Sequence, residues 1–264
     1  MGIIAYDNQR SDVDTIHPSS PFVFCLSGQI ASGKSTLLLN LLLDKKFYYQ
    51  KYNRIIFMSP TLELDEKVNK IVSDKTICVS NQKLIDAIED ELDSIQEEPI
   101  ERTKLDPFHA IEKEDLYEVY DKQIILDLKK HQKNVIKNYG KDLADSVLIC
   151  VEDAPAMGLL RQGHSNIFAR FCTELRHYKT DILICTQLFK TIPKIIRHQL
   201  TAACFFDTNE KEQEDIYETF SCNMPRRKWE EYFNILTHKR YSFIHFNLKN
   251  NKGRKIVRNF DEFV

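Results

Sequence analysis

A chain of 264 residues is long enough for one large α/β domain with a sizeable buried core. Its 42% hydrophobic and 29% charged residues read as soluble and globular rather than disordered. The net charge of −2 hides an asymmetry: fourteen acids against three bases from Asp86 to Asp121, and ten bases against two acids from Arg226 to Arg258. An acidic middle and a basic end suit partners of opposite character at different places.

Met1–Ser20 has neither a basic start nor an apolar run, so it reads as a short arm preceding one domain over 21–264, not as a signal peptide. Phe22–Ser27 is a short, β-rich apolar run, the form of a strand buried on both faces. A helix is predicted from Lys34 to about Asp44, and a second strand over Arg54–Ser59, ended by Pro60. No apolar run approaches membrane-spanning length; Leu37–Leu43 suffices only for part of a buried helix. Thr76–Val79 is a weaker strand candidate, and residues 81–139 read as a charged helical insertion. Val147–Val151 is a strand closed by Glu152-Asp153, and a helix follows over about 165–177. Asp181–Thr186 and Ala202–Phe206 are further strands, and Glu210–Phe220 and Arg226–Leu236 further helices. Tyr241–Asn247 pairs with Lys255–Val257 across the turn-rich stretch 250–253, giving a C-terminal β-hairpin. Strands alternating with helices predict a mainly parallel α/β sheet flanked by helices.

Of the seven cysteines, Cys25, Cys150, Cys185 and Cys204 sit in apolar runs, where cysteine acts as a small hydrophobe. No pair has zinc or redox spacing, which fits a reducing, cytosolic setting, and the eight histidines show no ligand spacing.

The segment that carries chemistry joins the first strand to the first helix: Gly28, Gln29, Ile30, Ala31, Ser32, Gly33, Lys34 and Ser35, followed by Thr36. Gly28 and Gly33 permit the backbone angles that turn successive N–H groups inward as an anion nest. The helix adds the positive end of its dipole. Lys34 is placed to reach the β- and γ-phosphates of ATP, and the Ser35 hydroxyl to ligate Mg2+. Both the preceding strand and the following helix are mechanical requirements of such a loop, and both are predicted here. Hydrolysis further needs an acid at the end of a neighbouring strand and a group to orient water. Glu152 and Asp153 supply two acids at such a strand end. Gln187 ends another buried strand, where an amide can sense the γ-phosphate or position water. Arg176 lies near the end of the intervening helix; Arg170, six residues earlier, projects from a different face.

The ordered set of phosphate loop, Glu152-Asp153, Arg176 and Thr186-Gln187 resembles the FtsK–HerA superfamily of DNA-pumping ATPases. Arg54-Ile-Ile-Phe-Met-Ser-Pro-Thr61 narrows the resemblance to the genome-packaging ATPases of poxviruses, giant viruses and virophages. It covers about residues 20–210 and implies a RecA-like P-loop NTPase fold. It also implies a homo-oligomeric ring acting on double-stranded DNA without sequence preference, in a host cytoplasmic viral factory or the virion. A capsid or virion membrane protein would be a further partner. By the same resemblance Glu152 holds Mg2+, Asp153 is the base for the attacking water, Gln187 is the sensor, and Arg176 is a finger inserted into the neighbouring subunit. The superfamily usually has Asp then Glu, so the reversed pair leaves the division of roles open. Arg197 is a second candidate for charge stabilisation, against its reading as a surface arginine. The basic clusters Arg226-Arg227-Lys228, Lys239-Arg240 and Arg254-Lys255 suit phosphate contacts. Two other classes compete: a small metabolite kinase, and a nucleotide-binding scaffold with degenerate catalysis. The acid pair and Thr-Gln strand are not what a kinase requires.

Overall fold

A computed structural model describes residues 18–49, 51–61, 115–160, 166–220, 224–248, 256–260 and 262–263. The strand candidate at Thr76–Val79 and the stretch 81–114 lie outside them.

The expected α/β architecture is present. In chain order the strands are β1 (Val23–Ser27), β2 (Arg54–Met58), β3 (Leu116–Tyr117), β4 (Val147–Val151), β5 (Thr180–Thr186), β6 (Ala202–Phe206), β7 (Phe243–Asn247), β8 (Ile256–Arg258) and β9 (Glu262–Phe263). The helices are α1 (Lys34–Leu43), α2 (Lys122–Tyr139), α3 (Ile167–Glu174), α4 (Lys194–Arg197), α5 (Glu210–Phe220) and α6 (Arg226–Thr237). Among the described residues the strands form one nine-stranded sheet in the order β3-β2-β4-β5-β1-β6-β7-β8-β9. All pairings from β3 to β6 are parallel. β7, β8 and β9 extend the sheet antiparallel, with the predicted hairpin registered Ile244↔Arg258 and Phe246↔Ile256.

Every residue of β1, β4 and β5 is buried, as expected for strands covered on both faces. The period-two alternation of side chains divides the core into two layers. Val147, Ile149 and Val151 of β4 face one layer with Ile125 and Leu128 of α2, Phe168 and Phe171 of α3, Ile216 of α5 and Trp229 of α6. Leu148 and Cys150 face the other, against Leu37, Leu38, Leu41 and Leu42 of α1. Cys25, Cys150, Cys172, Cys185 and Cys204 are all buried, and burial pushes the thiols of Cys25, Cys185 and Cys204 up, as suits inert packing residues.

Two details differ from the sequence reading. Leu116–Tyr117, inside the expected helical insertion, is an edge strand on β2, held by Arg54 Nη2 at 2.5 Å from the buried Asp115 carboxylate. The last part of that stretch, α2, is a crossover helix packed on α3 rather than an appendage. Asp121 caps it, accepting a hydrogen bond from Gln123 N at 2.9 Å, and Gly140 ends it at φ 89°. Buried Gln132 ties it to the sheet by donating to Asp145 O (2.8 Å) and Tyr178 O (3.0 Å).

The edge of the sheet where strands begin is fastened by Asp181, which is buried. It accepts from Phe22 N (2.9 Å), from Tyr52 OH (2.7 Å) and from Ser20 Oγ. That leaves the opposite edge, the carboxyl ends of β1, β4 and β5, as the functional one, where open parallel sheets bind ligands.

Candidate nucleotide site

Residues 28–33 form the turn between β1 and α1. Gly33, the residue before α1, has φ 106°, and Ala31 also has a positive φ of 59°. Glycine is needed at 33 for its backbone angle. At Gly28 the reason is space: a Cβ there would lie 2.7 Å from Phe206 Cβ and 2.8 Å from Ser32 Oγ. Ser32 Oγ is buried with no hydrogen-bond partner among the described residues. An orphaned hydroxyl in a concave backbone loop is a fit for an anion's oxygens. Ile30, at the tip, is 78% exposed.

Lys34 curls back across the mouth of the loop and donates to Gly28 O (2.6 Å) and Gln29 O (2.7 Å). Burial lowers its pKa, opposed by the nearby Glu152 and Asp153 carboxylates. A desolvated ammonium held by two carbonyls is poised to trade them for phosphate oxygens.

β4 does not neighbour β1; β5 lies between them. Glu152 nonetheless reaches across, and Ser35 Oγ donates to Glu152 Oε1. A hydroxyl and a carboxylate brought together are the kind of oxygen ligands a hard divalent cation takes. Asp153 adopts φ 44°, a left-handed backbone that aspartate tolerates better than most residues. The turn points its carboxylate toward Gln187, whose Nε2 donates to Oδ1 at 3.4 Å. Gln187 sits just past β5, and Thr186 Oγ1 donates to Leu188 O at 3.0 Å, fixing the strand end. Four segments thus converge on one point: the loop, α1, the end of β4 and the end of β5.

Arg176 lies elsewhere. It is exposed in a 3-10 turn (Leu175–His177) after α3, its Nε donating to His177 Nε2 at 3.3 Å. The length of β5, about 23 Å at roughly 3.3 Å per residue, separates it from Gln187. It does not serve the site of its own chain. Arg197, at the end of α4, lies over the Phe189 ring at 5.6 Å. Arg226 bridges Glu214 and Glu230 on the surface, at 3.0 and 2.9 Å, which offsets part of the charge of its cluster.

Sequence reasoning missed two neighbours of the loop. Phe206, the last residue of β6, packs beneath Gly28, and Tyr241 lies against Gly33, with its Cδ1 3.3 Å from where a Cβ would be. The spacing of the chain carries no signal for either contact; they follow from β6 and β7 being neighbours.

No family model matches the sequence, and no curated protein does. Solved structures do. The genome-packaging NTPase B204 of Sulfolobus turreted icosahedral virus 2, bound to ATP-γ-S, matches with TM-score 0.54 at 16% identity, over 93% of this chain and 100% of that one. B204, the DNA-packaging ATPase of Sulfolobus turreted icosahedral virus, matches with TM-score 0.56 at 15% identity, over 91% and 98%. The complex of the former with AMPPCP gives 0.51 at 16% identity, over 91% and 98%. The chain has the fold of a P-loop ATPase. These structures show the likeness at the level of the fold, over nearly the whole of both chains.

Proposed function

We propose that the protein is an ATP-hydrolysing motor that drives double-stranded DNA into a viral capsid. The observation that carries the reading is the meeting of Ser35 with Glu152, beside Asp153 and Gln187, across three parallel strands. A site that only bound nucleotide would not need the second acid and the amide.

In this reading the loop amides, Ser32 and Lys34 hold the β- and γ-phosphates of ATP. Ser35 and Glu152 would hold Mg2+, which when bound would supply positive charge to offset that of the phosphates. Asp153 accepts the proton of the attacking water, and Gln187, bonded to Asp153, orients that water and senses the γ-phosphate. Arg176 of a neighbouring subunit in a ring would supply the positive charge that the transition state needs, since a guanidinium suits the spread charge of a phosphoryl in transit. The bases between Arg226 and Arg258 would contact DNA phosphates, so binding would be indifferent to sequence and steeply salt-dependent. Such a motor belongs in a viral factory of the host cytoplasm or in the virion, working with a capsid or virion membrane protein.

The test is ATP turnover with and without double-stranded DNA, for wild type and Lys34→Ala. Turnover should rise with DNA of any sequence, and Lys34→Ala should fold normally but turn over at less than about a tenth of the wild-type rate. Indifference to DNA would overturn the motor; an active Lys34→Ala would overturn the site.

A further inference from the structure

Of the two aromatic side chains that touch the phosphate loop, Phe206 is buried and Tyr241 is exposed. Tyr241 stands in the turn between α6 and β7, which Ser242 N closes by donating to Lys239 O at 2.9 Å. A Cβ at Gly33 would lie 3.3 Å from Tyr241 Cδ1 and 3.8 Å from its Cβ, so the ring is laid along the last residue of the loop. Its backbone φ is 66°, which a bulky residue rarely adopts. Even so, Tyr241 is 49% exposed, and the Arg240 guanidinium sits over its ring, 4.8 Å from the centroid. An aromatic residue held at the mouth of the loop with half of its surface open is not accounted for by core packing alone.

The direction of a bound nucleotide follows from the sheet order. Glu152, Asp153 and Gln187 lie at the ends of β4 and β5, on one side of β1. The γ-phosphate must face that side. The triphosphate then crosses the loop, and the nucleoside leaves over the strands on the other side of β1, first β6 and beyond it β7. Tyr241 precedes β7 by two residues, and Phe206 Cε1, at the end of β6, lies 3.5 Å from the same position on Gly33.

We propose that Tyr241 is the stacking platform for the base of the nucleotide, which takes the ring face now covered by the Arg240 guanidinium. Both groups are flat, and a ring face that holds one fits the other. The inference rests on the reading of residues 28–35 as an ATP site and extends it from the phosphates to the nucleoside.

The experiment compares the binding of magnesium ATP with that of magnesium tripolyphosphate, which has the phosphates and no base. The proteins are wild type, Tyr241→Phe and Tyr241→Asn; asparagine accepts the left-handed backbone and lacks the ring. Tyr241→Asn should lose roughly 10- to 100-fold in ATP affinity and keep its tripolyphosphate affinity, while Tyr241→Phe keeps both. Equal losses for the two ligands would mean that the ring only props the loop, and an unchanged ATP affinity would leave it no role; either result overturns the proposal. Wild type supplies a test that needs no variant, since ATP must bind about tenfold or more tighter than tripolyphosphate. If wild type bound neither ligand, the ATP reading itself would fall, and this inference with it.

Discussion

Gly28→Ala is a perturbation whose size can be worked from geometry alone. The new Cβ would stand 2.7 Å from Phe206 Cβ, 2.8 Å from Ser32 Oγ and 3.2 Å from Phe206 Cδ2. Carbon atoms in good contact lie about 3.5–4.0 Å apart, so the gap is short by roughly 1 Å. Phe206 Cβ cannot turn away, because it is fixed to the backbone of β6, itself paired with β1 and β7. The loop must lift instead. Overpacking of this kind costs about 1–3 kcal/mol, a fall in Tm of roughly 2–12 °C for a chain of this size. The effect on function should be larger than that on the fold, since a displacement of about 1 Å at a reacting centre costs on the order of 100-fold. We expect a modest fall in Tm by calorimetry and at least tenfold weaker magnesium ATP binding by titration. Gly140→Ala is the control: nothing lies within 4 Å of its Cβ, though φ is +89°, so it should strain the end of α2 and leave ATP binding alone. Gly28→Ala binding ATP within twofold of wild type would refute the close approach of loop and β6.

Three other outcomes follow from the site. Glu152→Gln should weaken magnesium ATP binding, whereas Asp153→Asn should bind normally and lose about 10²–10⁴ in turnover; the reverse pattern in a magnesium titration would exchange their roles. Arg176→Ala should bind ATP and lose roughly 10³–10⁵ in turnover, with partial rescue on mixing with Lys34→Ala; if it is only a surface arginine, the variant hydrolyses like wild type and mixing changes nothing. Glu212 is buried and accepts from Phe189 N at 2.8 Å, and burial raises its pKa above the ordinary 4.5. The native state therefore holds that proton more tightly than the unfolded chain, and stability is lost as pH rises from 4.5 through the folded-state value. Glu212→Gln keeps an acceptor and removes the titration, so its Tm relative to wild type should climb over that window; parallel curves would refute the assignment.

Much of this was legible in the sequence because it is written in contiguous residues. The loop 28–35 needs its strand, its glycines and its helix at fixed offsets, and Glu152-Asp153 and Gln187 each close an apolar run that can only be a buried strand. The boundaries of α5 (Glu210–Phe220) match the expectation, because an apolar stripe on a charged helix is a clean signal. What lies between strands was not legible. Hydrophobic period reports which face is buried but not which strand is the neighbour, so the position of β5 between β1 and β4 is visible only in space. The same holds for Asp181, a charge at the start of a buried strand whose three donors come from the segments around residues 20 and 52. Leu116–Tyr117 was hidden for another reason: two residues are too short to show any period, and acids surround them.

The reversed acid pair is where the spatial order matters most. With β5 interposed, β4 stands two strand spacings from β1, about 9.6 Å, so the first acid must cross a gap to meet Ser35. Glutamate has one more methylene than aspartate to do so, and its Oε1 accepts directly from Ser35 Oγ. The second acid is the shorter one, and in the proposed mechanism it would start further from a water at the γ-phosphate. Here the backbone compensates. At φ 44° the chain turns Asp153 back toward β5, bringing its carboxylate within 3.4 Å of Gln187 Nε2 and binding Ala154 N to Cys185 O at 3.0 Å. A glutamate at 153 would have to hold that left-handed turn without the local hydrogen bonding that makes aspartate tolerant of it. The order Glu-Asp and the turn at 153 are therefore one device: reach is moved from the second side chain to the first, and the backbone supplies what the second has lost.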